Sequence, residues 1–175
     1  GVRLVGSEMC IRDSYGTFGS FGEGDGQFIW PSCGAVDSQG RVYITDEYLN
    51  EVKVFDTQGN FINKWGASKE KKHGLKGPSG IAHAKDGSVY IAEQYANKVS
   101  RYTKDGNLIS SWGEEGKATG QFNLPWGISI DHFGNVYVDD WRKDRIKKLG
   151  EAGTCLLYTS QRPRHVLLSR MPSYD

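Results

Sequence analysis

Pro31, Pro78 and Pro125 stand 47 residues apart, and so do Gly40, Gly87 and Gly134, and Tyr43, Tyr90 and Tyr137. Trp65 and Trp112 keep the same step, with Phe18 at the matching place before them. A fixed period of this length means that one supersecondary unit is repeated and stacked on itself. The period therefore constrains the fold more tightly than any single residue does.

The best-preserved segment of each repeat is Gly40–Asp46 (GRVYITD), with counterparts Gly87–Glu93 (GSVYIAE) and Gly134–Asp140 (GNVYVDD). A turn glycine, a β-branched and aromatic run and a closing acid describe a short strand. The run is continuously apolar, so both of its faces are expected to be buried. Further strands are predicted before it (Gly34–Val36, Ile81–His83, Ile128–Ile130) and after it (Val52–Phe55, Val99–Tyr102, Ile146–Leu149, then Phe61–Trp65 and Leu108–Trp112). The connections carry turn chemistry, such as Asp37-Ser38-Gln39-Gly40 and Asp56-Thr57-Gln58-Gly59. In such turns Asp bonds its own backbone and Gly takes the positive φ. No 3.6-residue apolar period runs through residues 15–154, which predicts almost no helix. Four short strands with both faces apolar cannot stand alone. Radial stacking of such sheets into a β-propeller resolves this. The fold class expected is all-β, a partial propeller of about three four-stranded antiparallel blades, the last incomplete.

The repeat reads Gly-Gln-Phe-x-x-Pro-x-Gly-Ile, Asp-x-x-Gly-x-Val-Tyr-Val-x-Asp, Asn-x-x-Val, then Asp-Gly-x-Leu-x-x-x-Trp-Gly. Gly26-Gln27-Phe28-Ile29-Trp30-Pro31 and Gly120-Gln121-Phe122-Asn123-Leu124-Pro125 carry its opening. This pattern resembles the NHL-repeat family over residues 18–154. Asn50, Asn97 and Asp144 hold the Asn position, and Cys33 stands where Gly80 and Gly127 stand. The middle repeat departs at its entry, where Lys69 to Lys76 replace the glycine-rich run. The resemblance implies a six-bladed ring that needs further blades to close.

Residues 1–14 and 155–175 lie outside the pattern. Leu4 to Ser14 and Cys155 to Ser160 resemble translated sequencing-adapter read-through, and segments of that kind are set aside in fold reasoning. The period supports the cut, because the tryptophan due at 159 is Thr159 and the glycine due at 160 is Ser160. Cys155 and Leu156 nevertheless stay in apolar register with a last strand. The whole chain has 22 basic and 21 acidic residues. The flanks hold five of the former (Arg3, Arg12, Arg162, Arg164, Arg170) and three of the latter (Glu8, Asp13, Asp175), so residues 15–154 have 17 and 18, a net −1. A near-neutral domain gives no global electrostatic case for nucleic acid. With Cys10 and Cys155 in the flanks, Cys33 alone supports no disulfide or metal framework. No membrane-spanning run or leader is visible in these residues, and the cellular compartment is not read from them.

Function is expected on the face that carries the entry loops before each proline and the loops after Asp46, Glu93 and Asp140, because variable loops on a rigid scaffold gather binding residues. Trp30, Tyr48, Tyr95, Trp126, Trp141 and Arg142 are the binding candidates there, since Tyr, Trp and Arg dominate hot spots. The competing structural reading is that these rings cover seams between blades. Trp65, Trp112 and the strand tyrosines recur in every repeat and read as packing. His83 replaces Val36 and Ile130 on an innermost strand and is the channel-lining candidate. The resemblance extends to amidating lyases whose zinc is held by histidines from several blades, but one histidine is not a site. Asp46, Glu93 and Asp140 could offer oxygen ligands to calcium, or could accept backbone N–H groups of the following loop. His73 and His132 fall in loops.

Two basic clusters (Lys69, Lys71, Lys72 and Lys76; Arg142, Lys143, Arg145, Lys147 and Lys148) raise single-stranded RNA as an alternative ligand, against interleaved acids. Gly22 to Gly26 precedes no helix and lacks the mechanism of a phosphate loop. No Ser-His-Asp set or paired-carboxylate motif can be assembled, and no catalytic residue is assigned. The expectation is a non-catalytic scaffold without cofactor, binding a protein, peptide or glycan. The alternatives are a lyase or lactonase with Zn or Ca at the axis, and an RNA-binding propeller.

Overall fold

The computed structural model describes residues 16–66, 74–150 and 155–158. The basic residues Lys69, Lys71 and Lys72, His73, and nearly all of both flanks lie outside them. A short parallel pair, β1 (Ser20–Phe21) with β2 (Gln27–Phe28), precedes three four-stranded antiparallel sheets. The first blade is β3 (Pro31–Val36), β4 (Val42–Asp46), β5 (Glu51–Phe55) and β6 (Phe61–Trp65). The second is β7 (Pro78–His83), β8 (Val89–Glu93), β9 (Lys98–Tyr102) and β10 (Leu108–Trp112). The third is β11 (Pro125–Ile130), β12 (Val136–Asp140), β13 (Arg145–Leu149) and β14 (Cys155–Tyr158). Each is a meander whose sequence neighbours are its hydrogen-bonded neighbours. The only helices among the described residues are two one-turn 3-10 segments, Gln94–Ala96 and Trp141–Lys143.

Two features differ from the sequence reading by more than one residue. The inner strands begin at the proline, three residues early, with a register shift after Pro31, Pro78 and Pro125. Proline has no N–H to give the ladder, so it sits at a strand start beside a bulge. The third blade also has its fourth strand. Cys155–Tyr158, assigned to the flank by the failing period, pair with β13 through Lys147 to Leu149.

The blades pack face to face, and the core consists of their two seams. Tyr43, Val52 and Val54 of the first blade meet Ile81, Val89, Ile91 and Tyr102 of the second. Tyr90 and Val99 of the second meet Phe122, Val136, Val138 and Leu149 of the third. Val89, Tyr90 and Ile91 are consecutive yet alternate between the seams, because successive strand side chains point to opposite faces. The continuous apolar run needs a blade on each side, and β8 is buried at every residue.

The innermost strands β3, β7 and β11 lie side by side. A Cβ at Gly80 would come within 2.5 Å of the Trp126 carbonyl oxygen and 2.9 Å of the Ile128 nitrogen, so the close approach of β7 to β11 requires glycine. Hydroxyls tie the seams: Thr45 donates to the Ser79 carbonyl (2.8 Å), and Ser79 to the Trp126 carbonyl (2.9 Å). The Asn position makes a second tie. Asn50 and Asn97 adopt left-handed backbone, with φ of 55° and 51°. Their side-chain carbonyls accept the Gly77 N–H (2.7 Å) and the Leu124 N–H (2.8 Å) of the next blade. Phe18 packs on Phe55 (4.8 Å between ring centroids) as Trp65 packs on Tyr102 (5.2 Å), which explains its place in the tryptophan register.

Candidate binding face

Each second strand ends in a buried carboxylate that fixes the loops around it. Asp46 accepts from the Ile29 N–H (2.8 Å), the Trp30 N–H (3.3 Å) and the Leu49 N–H (3.0 Å). Glu93 accepts from the Lys76 N–H (3.0 Å) and Asp140 from the Asn123 N–H (2.6 Å). The expectation of bonds to the following loop holds for Leu49 alone. The recurring bond runs to the preceding entry loop, because that loop crosses the strand end on its way to the proline. Backbone bonds join the two loops as well: Glu47 N–H to Trp30 O, Gln94 N–H to Gly77 O, and Arg142 N–H to Asn123 O. Entry loops and post-acid loops thus share one face.

On this face Trp30, Tyr48, Tyr95, Trp126 and Trp141 are all between 44% and 59% exposed. Trp30 meets Tyr48 edge-on at 5.5 Å, and Trp126 meets Trp141 at 6.4 Å. Tyr95 lies on the Gly77 backbone and donates its hydroxyl hydrogen to Glu47 of the first blade (2.5 Å). Arg142 is exposed, with its guanidinium 5.8 Å from the Trp141 ring centroid. The six candidates therefore share one face, distributed over three blades rather than gathered in one pocket. The recurring rings Tyr43 and Tyr90 are buried in the seams.

Sequence reasoning missed the buried lysines. Lys53 and Lys147 stand at one register position of β5 and β13 and are fully buried. Lys53 donates to the Gly24 and Gln27 carbonyls, and Lys147 to the Ala118 and Gln121 carbonyls, so each clamps an entry loop. Their separation by two periods, with Ser100 between, is the signal that could have exposed them. Arg145 also turns inward, to Asp140 (2.7 Å) and to the Lys117 and Gln121 carbonyls. The basic cluster Arg142 to Lys148 is accordingly not one surface. Arg142 and Lys143 stand at the loop, while Arg145 and Lys147 hold the blade together.

His83 occupies a seam position. Its ring meets Tyr43 edge-on at 4.3 Å, and neither ring nitrogen has a hydrogen-bond partner among the described residues. Burial holds its pKa below the ordinary histidine value. It also lines a cleft of about 350 Å³ on the opposite, tight-turn face, with Tyr90, Ile130, Asp131, His132 and Phe133. Asp131 there is committed to its own turn. Bonds foremost from the Asn135 side chain, then from backbone N–H groups and Tyr137, bring its pKa to about 2. Among the described residues no three His, Cys, Asp or Glu converge as a metal set. No described helix is long and apolar enough to cross a membrane.

The sequence matches no family model. Over 57 residues it is 42% identical to Protein lin-41 of Caenorhabditis elegans, which covers 33% of this chain and 5% of that protein. Solved structures with a similar fold include a catalytically inactive virginiamycin B lyase from Staphylococcus aureus with quinupristin (TM-score 0.61, 17% identity, 82% of this chain and 44% of that one). A streptogramin B lyase (0.58, 16%, 73% and 39%) and the nidogen/laminin complex (0.58, 14%, 76% and 48%) are similar too. The chain thus spans under half the length of each.

Proposed function

We propose that this chain, whose repeats are NHL-type β-propeller blades, is part of a non-catalytic scaffold that binds a protein, peptide or glycan through its loop face. The observation that carries the reading is the sorting of aromatic rings. Tyr43 and Tyr90, at the recurring strand position, are buried, whereas Trp30, Tyr48, Tyr95, Trp126 and Trp141, each peculiar to one or two blades, stand exposed on the loop face. Exposed Trp and Tyr on a rigid scaffold provide contact area at low entropic cost. The similar folds include lyases and a protein complex. Fold alone therefore does not choose between catalysis and binding, and the site must. The reading involves no cofactor and needs further blades to complete the ring.

The test uses the full-length protein. A photo-crosslinking amino acid at position 48 or 126 is expected to give partner adducts in cells, and the same group at Phe133 on the tight-turn face none. Adducts from Phe133 alone would move the site to the other face. Stoichiometric zinc or calcium on metal analysis would replace the scaffold reading with a metal-dependent enzyme.

A further inference from the structure

We infer that the corner formed by Trp126, Trp141 and Arg142 recognises an acidic peptide segment. Arg142 takes a carboxylate, and the two indoles take the apolar side chain beside it. This rests on the loop-face reading and names the ligand chemistry of one part of that face.

Local structure fixes the corner. Behind β12, Asp140 is fully buried and occupied by the Asn123 N–H and Arg145. The chain then makes the single turn Trp141–Lys143, closed by Asp144 in left-handed backbone at φ 48°. That turn sets Trp141 and Arg142 side by side. The guanidinium lies over the indole, a cation–π arrangement that limits its freedom while the residue stays exposed.

Two comparisons within the molecule show that Arg142 lacks an acidic partner among the described residues. The other described arginines are each paired with an aspartate: Arg41 with Asp37 (2.7 Å), Arg101 with Asp86 (2.5 Å) and Arg145 with Asp140 (2.7 Å). Arg142 has no ion pair among the described residues, although Asp139 and Asp144 are close in sequence. The second comparison follows the period. In the second blade the equivalent residue is Tyr95, whose hydroxyl reaches Glu47 of the blade before it. One blade on, Arg142 takes the place of Tyr95, and Gln94 takes the place of Glu47. Gln94 is buried, and its amide nitrogen is itself unpartnered among the described residues. The internal acid that this position meets at the first seam is absent at the second, where the position has become a cation. A carboxylate from outside completes the arrangement with two charge-assisted bonds.

The surrounding charge favours a peptide over a polynucleotide. With Arg145 and Lys147 turned inward, only Arg142 and Lys143 remain at the loop, beside Asp139 and Asp144. Single-strand binding needs a basic track along many phosphates, whereas one guanidinium suffices for one carboxylate.

Fluorescence anisotropy on the full-length protein tests this with a labelled peptide of three Glu-Phe pairs and its Gln-Phe isostere. The acidic peptide is expected to bind at least ~10-fold more tightly than the neutral one. Arg142→Gln should abolish that preference and Arg142→Lys should keep part of it, while Trp141→Ala should weaken both peptides. Equal affinity for the two peptides, a preference that survives Arg142→Gln, no acidic-peptide binding up to about 1 mM, or tighter binding of a labelled oligouridylate would each overturn the inference. If the acidic preference fails but Trp30→Ala or Tyr48→Ala weakens the neutral peptide, the loop-face reading survives. If those substitutions change nothing either, both readings fall.

Discussion

The second and third blades repeat one strand and turn pattern but differ in what surrounds them. Val99 in β9 is fully buried, while Ile146, its register equivalent in β13, is 43% exposed although it is the larger side chain. The same holds along the neighbouring strand, where Tyr90 of β8 is buried and Tyr137, its equivalent in β12, is partly open. Side-chain chemistry does not explain the difference. The second blade has a neighbour on each face, and the third has one described neighbour. Burial in this architecture is thus a property of the seam, as expected where each unit is stabilised chiefly by its nearest neighbours.

The largest test of that comparison places a charge at both positions. Val99→Asp should destabilise the chain by about 4 kcal/mol or more in urea denaturation, because a carboxylate would be driven into a closed seam. Ile146→Asp should cost less than about 1 kcal/mol and reduce self-association in gel filtration, since exposed apolar faces promote it. Similar losses at both positions would show that the third blade's outer face is covered in solution.

A smaller effect is expected at the seam tie. Asn97→Gly keeps the left-handed backbone but removes the acceptor for the Leu124 N–H, and should cost about 1 kcal/mol in the same measurement. No loss would mean that water replaces the bond at no penalty.

The smallest effect concerns His83, which stands where Val36 and Ile130 stand. His83→Ile should raise stability by up to about 1 kcal/mol by removing two buried nitrogens that have no partner among the described residues. Burial lowers the folded-state pKa below 6.5, so the unfolded chain binds the proton more readily. Stability from this group is complete above the unfolded pKa and declines as pH falls through 6.5 towards the folded value. Asp37 opposes the shift and Arg41 adds to it; Asp86 and Asp131 in the adjoining cleft have lowered pKa values and titrate below this window. The variant should flatten the slope between about pH 7.5 and 5.5. An unchanged slope would show that His83 is solvated.

The period made the strands, turns and blade count legible, because a core position must recur wherever the seam recurs. It also separated Tyr43 and Tyr90 from Trp30 and Trp141. It did not reveal direction. Arg142 and Arg145 look alike in sequence, yet one faces solvent and the other reaches Asp140, since three residues of a tight turn reverse the outlook of a side chain. Lys53 by itself carries no signal in the sequence pattern and Lys147 reads as one of a basic cluster, because hydropathy does not register carbonyl groups gathered by an entry loop. The carboxylates were linked to the following loop, which holds for Asp46 and Leu49 alone, and not to the preceding one, because the period shows which residues recur but not which neighbour each one touches. The fourth strand of the third blade was half legible: the tryptophan and glycine of the period lapse there, while Cys155 and Leu156 keep the apolar register.

The bonds from Asn50 to Gly77 and from Asn97 to Leu124 bear on how such a chain can grow or shrink. The middle 47-residue cassette carries the donor half of one joint and the acceptor half of the next. The donor is a main-chain amide, so the joint survives a change of side chain there, as Gly77 and Leu124 show, provided that the residue holds left-handed backbone (φ 59° and 54°). Duplicating or excising one whole cassette therefore leaves every joint complete, wherever in the repeat the cut falls. Gene rearrangement can change the number of blades without inventing a contact surface, and selection on the exposed loops can proceed one copy at a time.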